Sequence, residues 1–207
     1  MKLNELYEIL DTIIPNPVCE LAYHTDYQLL MAVMLSAQTT DKRVNAVTKI
    51  LFSKYPTLES LAEADLRDII DIIRPIGTFH KKAQNVKAIA THLLTEQNGV
   101  VPNDRVYLES LPGVGRKTTN VVLSILYNVP CIAVDTHVAR VSVRLGLAKK
   151  GDDVLTIEKK LTRKLEKSRL NRLHHQFVLF GRYYCVARNP KCNDCPLKYM
   201  CKEKHDR

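Results

Sequence analysis

The stretch Leu111-Pro112-Gly113-Val114-Gly115-Arg116-Lys117-Thr118 lies between two segments with helical periodicity and is predicted to form the turn between them. Pro112 ends the first helix, while Gly113 and Gly115 permit positive φ angles and leave the backbone bare. The N–H groups at the start of the second helix can then approach a phosphate closely, helped by the helix dipole. Contacts of this kind hold a protein on nucleic acid without reading its sequence.

Two other interpretations of this turn compete. A P-loop requires glycine at both ends of the pattern Gly-x-x-x-x-Gly-Lys-Ser/Thr, but Leu111 and Arg116 occupy those two positions here. No strand pattern precedes the turn either, so an NTPase is excluded. A plain helix–helix turn remains the simpler alternative, and the flanking residues favour phosphate binding over it.

Lys117 is a candidate nucleophile. It falls in the first turn of the second helix, directly after Arg116. The positive end of the helix dipole and the like charge both disfavour an ammonium at this position. A neutral amine is a nucleophile, so the position favours a reactive lysine, although most helix lysines are simply solvated charges.

A second candidate lies further along the chain, in Val134-Asp135-Thr136-His137. Asp135 follows an apolar run and precedes a helical pattern, so its simplest role is that of an N-cap. Beside a reactive amine, its carboxylate could instead hold the amine, shuttle its proton, or stabilise the positive charge on a sugar as its base departs. The sequence alone leaves both roles open.

Four of the six cysteines crowd near the C-terminus with the spacing Cys185-x6-Cys192-x2-Cys195-x5-Cys201. Such a set can hold either a zinc ion or an iron–sulfur cluster, and the spacing by itself does not choose between them. A loop anchored at both ends by these ligands would present Arg188 and Lys191 rigidly. The remaining cysteines, at positions 19 and 131, lie in apolar stretches and are expected to be buried thiols.

The bulk composition agrees with a nucleic-acid-binding protein. The 207 residues carry a formal net charge of +9, which favours a polyanionic partner. Seven basic residues fall between positions 159 and 172, and most of them are expected on a solvated helix face. No apolar run is long enough to span a bilayer, and the N-terminus resembles no signal or transit peptide, so we expect a cytoplasmic location.

Helical periodicity runs through the whole chain and predicts an all-α fold. Asp26, Asp41 and Asp104 are expected to cap three of the helices. Val129–Val134 is the one candidate for extended structure. The predicted helices span 3–14, 26–37, a segment from 41, 65–73, 79–97, 104–112, a segment from 116, 136–145, 153–165 and 171–184.

Taken together, these motifs resemble those of the endonuclease III family, the helix–hairpin–helix DNA glycosylases with an iron–sulfur cluster. The resemblance runs along nearly the whole chain. Four features carry it, namely residues 35–41 (Leu-Ser-Ala-Gln-Thr-Thr-Asp), residues 111–118, residues 133–137 (Ala-Val-Asp-Thr-His) and the 6-2-5 cysteine spacing.

The resemblance implies two helical domains with a DNA cleft between them. A six-helix domain with the hairpin would span residues 23–132, and a discontinuous cluster domain would combine residues 1–22 and 133–207. One [4Fe–4S] cluster would be held by Cys185, Cys192, Cys195 and Cys201, with a structural and DNA-positioning role.

The resemblance also implies a bifunctional DNA glycosylase and AP lyase of base excision repair that removes oxidised pyrimidines. The damaged nucleotide would be flipped out of the stack. Lys117 would attack the sugar C1′, the base would leave, and β-elimination through a Schiff base would cut the strand 3′ to the lesion, with Asp135 as the catalytic carboxylate. The implied partner is double-stranded DNA with damaged bases or abasic sites, bound by a nucleoid-associated monomer.

Several DNA contacts follow from the same resemblance. Gln38 matches the residue that fills the space vacated in the duplex. The family has a bulky apolar wedge after the glycine at Gly77, whereas this chain has Thr78 followed by Phe79, which leaves the opposite-base preference open. The other expected DNA contacts are Gly113, Val114, Gly115, Arg116, Thr118, Thr136, His137, Arg140, Arg188 and Lys191.

Two other functions fit parts of the sequence. An adenine-mismatch glycosylase of the MutY type would have a glutamate near Ala32, a second substrate-reading domain and no hairpin lysine, and this chain differs on all three points. A non-catalytic DNA-binding protein with a structural metal would not need both Lys117 and Asp135.

Overall fold

The computed structural model describes residues 3–203 and confirms the all-α fold class. No strand occurs within that range, and residues 128–135 form an irregular connection instead of the extended segment considered above. Met1, Lys2 and residues 204–207 lie outside the described residues, and so does the start of the N-terminal segment considered above as a signal or transit peptide. The helices are α1 (Leu3–Ile13), α2 (Asp26–Leu35), α3 (Asp41–Lys54), α4 (Leu58–Glu63), α5 (Leu66–Ile73), α6 (Phe79–Gln97), α7 (Arg105–Ser110), α8 (Arg116–Tyr127), α9 (Thr136–Arg144), α10 (Val154–Lys164) and α11 (Leu170–Tyr183), with 3-10 turns at Lys167–Arg169 and Lys198–Met200.

The chain divides into two compact units. Glu20–Tyr127, here called the hairpin unit, is continuous in sequence, while the cysteine unit combines Met1–Cys19 with Asn128–Arg207. The hairpin unit contains seven helices, α2 to α8. The additional one is α4, a six-residue helix whose Thr57 and Ser60 form a reciprocal capping box too short to produce a clear periodicity.

The helix starts follow the acidic residues, with two shifts. Asp104 caps α7 as expected, because its carboxylate accepts from the backbone N–H groups of Val106 and Tyr107. Asp26 and Asp41 are instead the first residues of α2 and α3, and the preceding threonines occupy the cap positions without a side-chain bond. The two carboxylates therefore stabilise these helix ends through the dipole and not as caps.

The core of the hairpin unit is built around α2, which is buried on every side. All eight residues from Gln28 to Leu35 are buried. Helix α6 packs against α2, α4 and α5. Because α2 is apolar all round, it can only be stable inside the unit, with its C-terminal end opening into the turn that carries Gln38.

The cysteine unit has its own core, to which α1 contributes Leu6, Tyr7 and Leu10. These side chains join Phe177 and Phe180 of α11, both essentially unexposed. The core is otherwise mainly aliphatic, as a sequence without tryptophan predicts. Within residues 3–203, no helix has the length and apolar character needed to cross a membrane.

Candidate functional site

The hairpin turn joins α7 to α8 as predicted. Gly113 has a φ of +80°, and the Val114 N–H donates to the carbonyl of Leu111 at 3.1 Å. The side chain of Val114 is buried, so this residue anchors the turn to the core, although it was expected among the DNA contacts. The amides from Gly115 to Thr118 lie at the start of α8 and have no acceptor within the helix, whereas the Thr119 N–H donates to the Gly115 carbonyl at 3.0 Å.

Gly113 is the position where the turn meets α6. A Cβ atom placed there would lie 2.2 Å from Nδ2 of Asn85, a buried side chain of α6. Both the positive φ and this close approach require glycine. Gly115 differs on both points, because its φ is not positive and nothing lies within 4 Å of a Cβ built there. Its bare backbone is therefore not needed for packing inside the protein.

Lys117 is an exposed side chain at the second position of α8. Arg116 is exposed beside it, and Thr118 is half-buried on the next position of the helix. The predicted placement of the amine in the first helical turn, next to a like charge, is thus observed. Lys117 belongs to the hairpin unit and Asp135 to the cysteine unit.

Two further predicted DNA contacts lie in tight turns of the hairpin unit. Gln38 is exposed in the turn after α2 with a φ of 56°, and Thr78 is exposed at the start of α6 with a φ of 55°. A β-branched residue in this left-handed region is a strained outlier. Phe79 follows half-buried, with its ring 4.4 Å from that of His80.

In the cysteine unit, Asp135 is the N-cap of α9. Its Oδ1 accepts from the backbone N–H groups of His137 and Val138, each at 2.8 Å. The simpler of the two roles considered for Asp135 is therefore present in the folded chain. Thr136 is exposed at the start of the same helix, and His137 is half-buried.

Arg140 on α9 is occupied by contacts within its own unit. Its guanidinium donates to the carbonyl oxygens of Gly181 at 2.7 Å, of Cys185 at 2.8 Å and of Thr136 at 3.2 Å. It also lies 3.2 Å from Nδ1 of His137. Burial lowers the pKa of Arg140. The arrangement ties the start of α9 to the segment that carries the first cysteine.

The four C-terminal cysteines lie close enough to influence one another. Burial raises the pKa of the Cys195 thiol, and the negative charges of Cys185, Cys192 and Cys201 raise it further. All four thiols are half-buried. Cys19 and Cys131, which were expected to be buried, are also only half-buried, and both lie in irregular connections and not in core helices.

The arrangement of the thiols bears on the metal. A zinc ion needs its ligand sulfurs about 2.3 Å from one point. Within residues 3–203 no group of three or more His, Cys, Asp or Glu side chains converges in that way. A cluster does not require such convergence, since each cysteine binds a different iron atom. The four half-buried thiols of this segment are a donor set that an iron–sulfur cluster can use.

Arg144, which the sequence did not single out, supports the first cysteine. Its Nη1 lies 3.2 Å from Sγ of Cys185 and donates to the carbonyl of Val186 at 2.9 Å. Its Nε pairs with Glu203 at 2.7 Å. The sequence does contain one sign of this role, because Arg144 lies four residues after Arg140 and therefore on the same face of α9.

The loop between Cys185 and Cys192 presents the expected basic residues. Arg188 and Lys191 are both exposed. The Lys191 N–H donates to the carbonyl of Tyr184 at 3.1 Å, and its ammonium lies 5.9 Å from the centre of the Tyr184 ring. The loop is thus held at its far end while the side chains stay accessible.

Four of the seven basic residues between positions 159 and 172 bind other residues of the protein. Lys160 pairs with Asp152 at 2.6 Å, and Lys164 donates to the carbonyl of Leu147 at 2.8 Å. Arg169 and Arg172 both bind Asp11 of α1. The run therefore contributes mainly to packing and solvation.

Family comparisons agree with this geometry. Residues 31–167 match the model of the HhH-GPD superfamily of base excision DNA repair proteins, and residues 185–201 match the iron-sulfur binding domain of endonuclease III. Endonuclease III of Bacillus subtilis (strain 168) is 44% identical over 100% of this chain and 96% of its own length. The chain belongs to the endonuclease III family.

Other relatives place the whole chain in the same family. Endonuclease III of Rickettsia conorii is 46% identical over 96% of this chain and 94% of its own. A solved structure of a trapped endonuclease III–DNA covalent intermediate superimposes with a TM-score of 0.92, at 44% identity and with 98% and 96% of the two chains covered. A thermostable thymine-DNA glycosylase, 21% identical with a TM-score of 0.80 over 96% and 94% of the chains, shares the fold.

Membership of the endonuclease III family confirms three predictions at once. The chain is a DNA glycosylase with AP lyase activity in base excision repair. Its C-terminal cysteine segment is the iron–sulfur domain of the family, which confirms the [4Fe–4S] cluster. The roles of individual residues within this family assignment stay predictions and are taken up next.

Proposed function

We propose that this enzyme binds double-stranded DNA with damaged bases or abasic sites, removes oxidised pyrimidines and cuts the strand 3′ to the abasic site. The observation that carries the proposal is the exposed Lys117 at the start of α8, in a family member whose 44% identical relative has been trapped in a covalent complex with DNA. We further propose that the hairpin unit and the cysteine unit are the two domains implied by the sequence, that the enzyme acts as a monomer, and that it acts at the nucleoid in the cytoplasm.

In this scheme Lys117 is the nucleophile. Its neutral amine attacks C1′ of the flipped nucleotide, a C–N bond to the lysine forms, and the bond to the base breaks with its electrons leaving on the base. The departing base takes up the proton that the amine releases. Opening of the C1′–O4′ bond, with protonation of O4′, then gives the protonated Schiff base, which acidifies the C2′ proton, and removal of that proton expels the 3′ phosphate.

Asp135 is the proposed carboxylate partner in this reaction. It would stabilise the positive charge that develops on the sugar and manage the proton of the amine. Its capping bonds to His137 and Val138 both end on Oδ1 and fix the carboxylate relative to α9. The cap thus preorganises the carboxylate through bonds to a single oxygen.

The hairpin backbone is the proposed phosphate site. The amides from Gly115 to Thr118 open α8, where the helix dipole and N–H groups that lack an acceptor inside the helix attract an anion. Arg116 adds a charge at the same end. Gly115 supports the idea because a side chain would fit there in the free protein, so its absence leaves room for a partner.

The remaining contacts are assigned by position. Gln38 would fill the space left by the flipped nucleotide, and Thr78 with Phe79 would separate the strands beside it. Thr136, His137, Arg140, Arg188 and Lys191 are proposed on the cysteine unit. Arg140 would act through its hold on Cys185 and α9, given that its guanidinium donates to three carbonyl oxygens.

Borohydride trapping tests the nucleophile. Mixing the enzyme with abasic-site DNA and borohydride should reduce the Schiff base to a stable protein–DNA adduct, and Lys117→Gln should abolish the adduct. Lys49→Gln is the matched control, since Lys49 is an exposed helix lysine of the same unit. A folded wild-type enzyme without an adduct on abasic DNA would contradict the lyase mechanism.

The same trap separates the two alternative functions. An adenine-mismatch glycosylase would act on a mismatched adenine and give no Lys117-dependent adduct. A non-catalytic binder would bind abasic DNA but leave the strand intact. Run over duplexes with different lesions, the assay also ranks substrates, with oxidised pyrimidines expected to be trapped most efficiently.

A further inference from the structure

A buried lysine in the hairpin unit takes no part in the proposed reaction. Lys82, in the first turn of α6, is only 4% exposed. Its ammonium donates to the carbonyl oxygens of Leu35 at 2.9 Å and Ala37 at 2.7 Å, and it lies 3.3 Å from Oγ1 of Thr39. Burial lowers the pKa of Lys82. A buried cation is costly unless its donors are satisfied, so these three acceptors must stay in place.

The three acceptors surround Gln38 in sequence. Gln38 is exposed and has a φ of 56°, a conformation that a long side chain seldom adopts. The backbone of Lys82 also reaches Thr78, because its N–H donates to the Thr78 carbonyl at 3.1 Å and closes the first turn of α6. One residue therefore contacts both the turn of Gln38 and the strained start of α6.

Backbone conformation sets these two positions apart. Within residues 3–203, five residues other than glycine have positive φ, and three of them are asparagines, which tolerate this region well. The other two are Gln38 and Thr78. Strain of this kind persists only where the surrounding structure enforces it.

We infer that Lys82 is a positioning residue for DNA binding, whose ammonium holds the Leu35–Thr39 turn so that Gln38 is presented outward beside the Thr78 end of α6. The inference rests on the proposed function, in which Gln38 enters the duplex. Lys82 touches no DNA in this scheme and acts through Gln38. A purely structural lysine would change stability alone, whereas a positioning lysine changes DNA affinity through one defined side chain.

The direct test is Lys82→Met, which keeps an unbranched side chain and removes the donors. Its affinity for a duplex with a tetrahydrofuran abasic analogue should fall roughly tenfold, which corresponds to about 1.4 kcal/mol. Single-turnover cleavage of a natural abasic site at saturating DNA should change by less than about twofold, since the lysine that reacts is elsewhere. An unchanged affinity in the folded variant would overturn the inference.

Lys87→Met is the matched control on the same helix. Like Lys82, Lys87 donates from its ammonium group to backbone, but to one carbonyl only, that of Ala64 at the end of α4, at 2.5 Å. Its loss should lower stability and leave the affinity for the abasic duplex unchanged. An equal loss of affinity in both variants would mean that Lys82 acts only through general stability.

A double-mutant cycle with Gln38→Ala identifies the route. If Lys82 acts through Gln38, Lys82→Met should weaken binding roughly tenfold in the wild type and by less than about twofold in the Gln38→Ala background. Fully additive effects would contradict the inference. A wild-type enzyme that does not bind the abasic duplex at all would instead refute the proposed function.

Should Lys82→Met fail to fold, Thr39→Val replaces it in the cycle. This change removes the third acceptor of Lys82, together with a weak 3.4 Å bond from the Thr39 hydroxyl to the Ala37 carbonyl, and leaves both carbonyl contacts of Lys82. The expected loss of affinity is about threefold, the effect of one ordinary hydrogen bond, and it should vanish in the Gln38→Ala background. Wild-type affinity in Thr39→Val would then count against the inference.

Discussion

Asp135 has two roles that substitutions can separate. Asparagine caps a helix about as well as aspartate, so Asp135→Asn should keep the bonds to His137 and Val138 and the stability of α9. Asp135→Ala should cost about 1 kcal/mol of folding free energy through loss of the cap. Both variants should lose most base-removal activity, because both lack the charge.

Urea unfolding and single-turnover base release measure these two effects on the same preparations. Asp104→Ala is the control for the cap alone, since Asp104 caps α7 with the same pattern of bonds. Full activity in Asp135→Asn would show that Asp135 is a cap without a catalytic role.

The two hairpin glycines offer a second residue-scale prediction. Gly113→Ala meets both a positive φ and the Asn85 amide, so it should destabilise the protein by about 1–3 kcal/mol. Gly115→Ala meets nothing within 4 Å and should leave the melting temperature nearly unchanged. Its affinity for abasic DNA should still fall, because the added methyl occupies the proposed phosphate approach.

Thermal unfolding and binding measurements on the two alanine variants decide the matter. A Gly115→Ala enzyme with wild-type affinity would argue against a backbone phosphate site at this turn. The comparison is informative because the two glycines lie two residues apart but differ in what surrounds them.

At the scale of elements, α1 is held to α11 by a charged contact. Burial alone raises the pKa of Asp11, but hydrogen bonds from Arg172, Arg169 and Gln176 outweigh it and lower the pKa to about 2. The folded pKa therefore lies below the unfolded value of about 3.9. The stabilisation is complete above about pH 4 and is lost as the pH falls towards 2.

Asp11→Asn should therefore lower the free energy of unfolding at neutral pH and flatten its decline between pH 4 and 2. The side chain is 35% exposed, so after allowance for solvent screening we expect about 1–1.5 kcal/mol. Urea unfolding at several pH values measures this. Asp71→Asn, which breaks an exposed pair with Arg74, should have almost no effect and serves as the control.

Helix α9 and the cysteine segment form a second linked pair of elements. Arg144→Met removes the donors that meet Sγ of Cys185 and the carbonyl of Val186. Outer contacts of this kind orient metal ligands, so we expect the cluster to be lost to a chelator roughly ten times faster. The visible absorbance of the cluster reports this directly, and Arg188→Met is the control within the exposed loop. Equal rates would leave Arg144 with a packing role only.

Much of this element arrangement could be predicted from the sequence. Periodicity located ten of the eleven helices, because long amphipathic segments carry a strong signal, while the short α4 depends on a capping box. The cysteine spacing marked the cluster segment directly. The motifs around Lys117 and Asp135 identified both residues as candidates, but they did not predict which other residues contact them.

The supporting contacts could not be predicted, because they join residues far apart in the chain. Lys82 binds carbonyl groups more than forty positions away, and Asn85 meets Gly113 across a loop and a helix. Backbone carbonyls carry no sequence signature. Left-handed φ angles at Gln38 and Thr78 were equally invisible, since neither residue type favours that region.

For the whole molecule, the two units should differ in their ability to fold alone. Residues 20–127 are continuous and contain a complete core, so this fragment should be helical and unfold cooperatively. Residues 128–207 lack Leu6, Tyr7 and Leu10, which are 0%, 4% and 0% exposed. Burying three such side chains contributes about 5–9 kcal/mol, comparable with the stability of a small domain.

Circular dichroism and thermal unfolding of the two fragments test this difference. Adding a peptide of residues 1–19 to the C-terminal fragment should restore a cooperative transition, and a peptide with Leu6 and Leu10 replaced by serine should not. A C-terminal fragment that folds without the peptide would show that α1 is dispensable for the core.

The discontinuous cysteine unit also determines the order in which parts of the protein can fold during translation. Helix α1 leaves the ribosome first, yet Arg169, Arg172 and Gln176, which bind its Asp11, are made near the end. At about 5–20 residues per second, α1 waits roughly ten seconds or more with its apolar face uncovered while residues 20–127 fold. Iron loading must come later still, once Cys201 has emerged. The hairpin unit of the nascent chain can therefore fold before the cysteine unit can bind its iron–sulfur cluster.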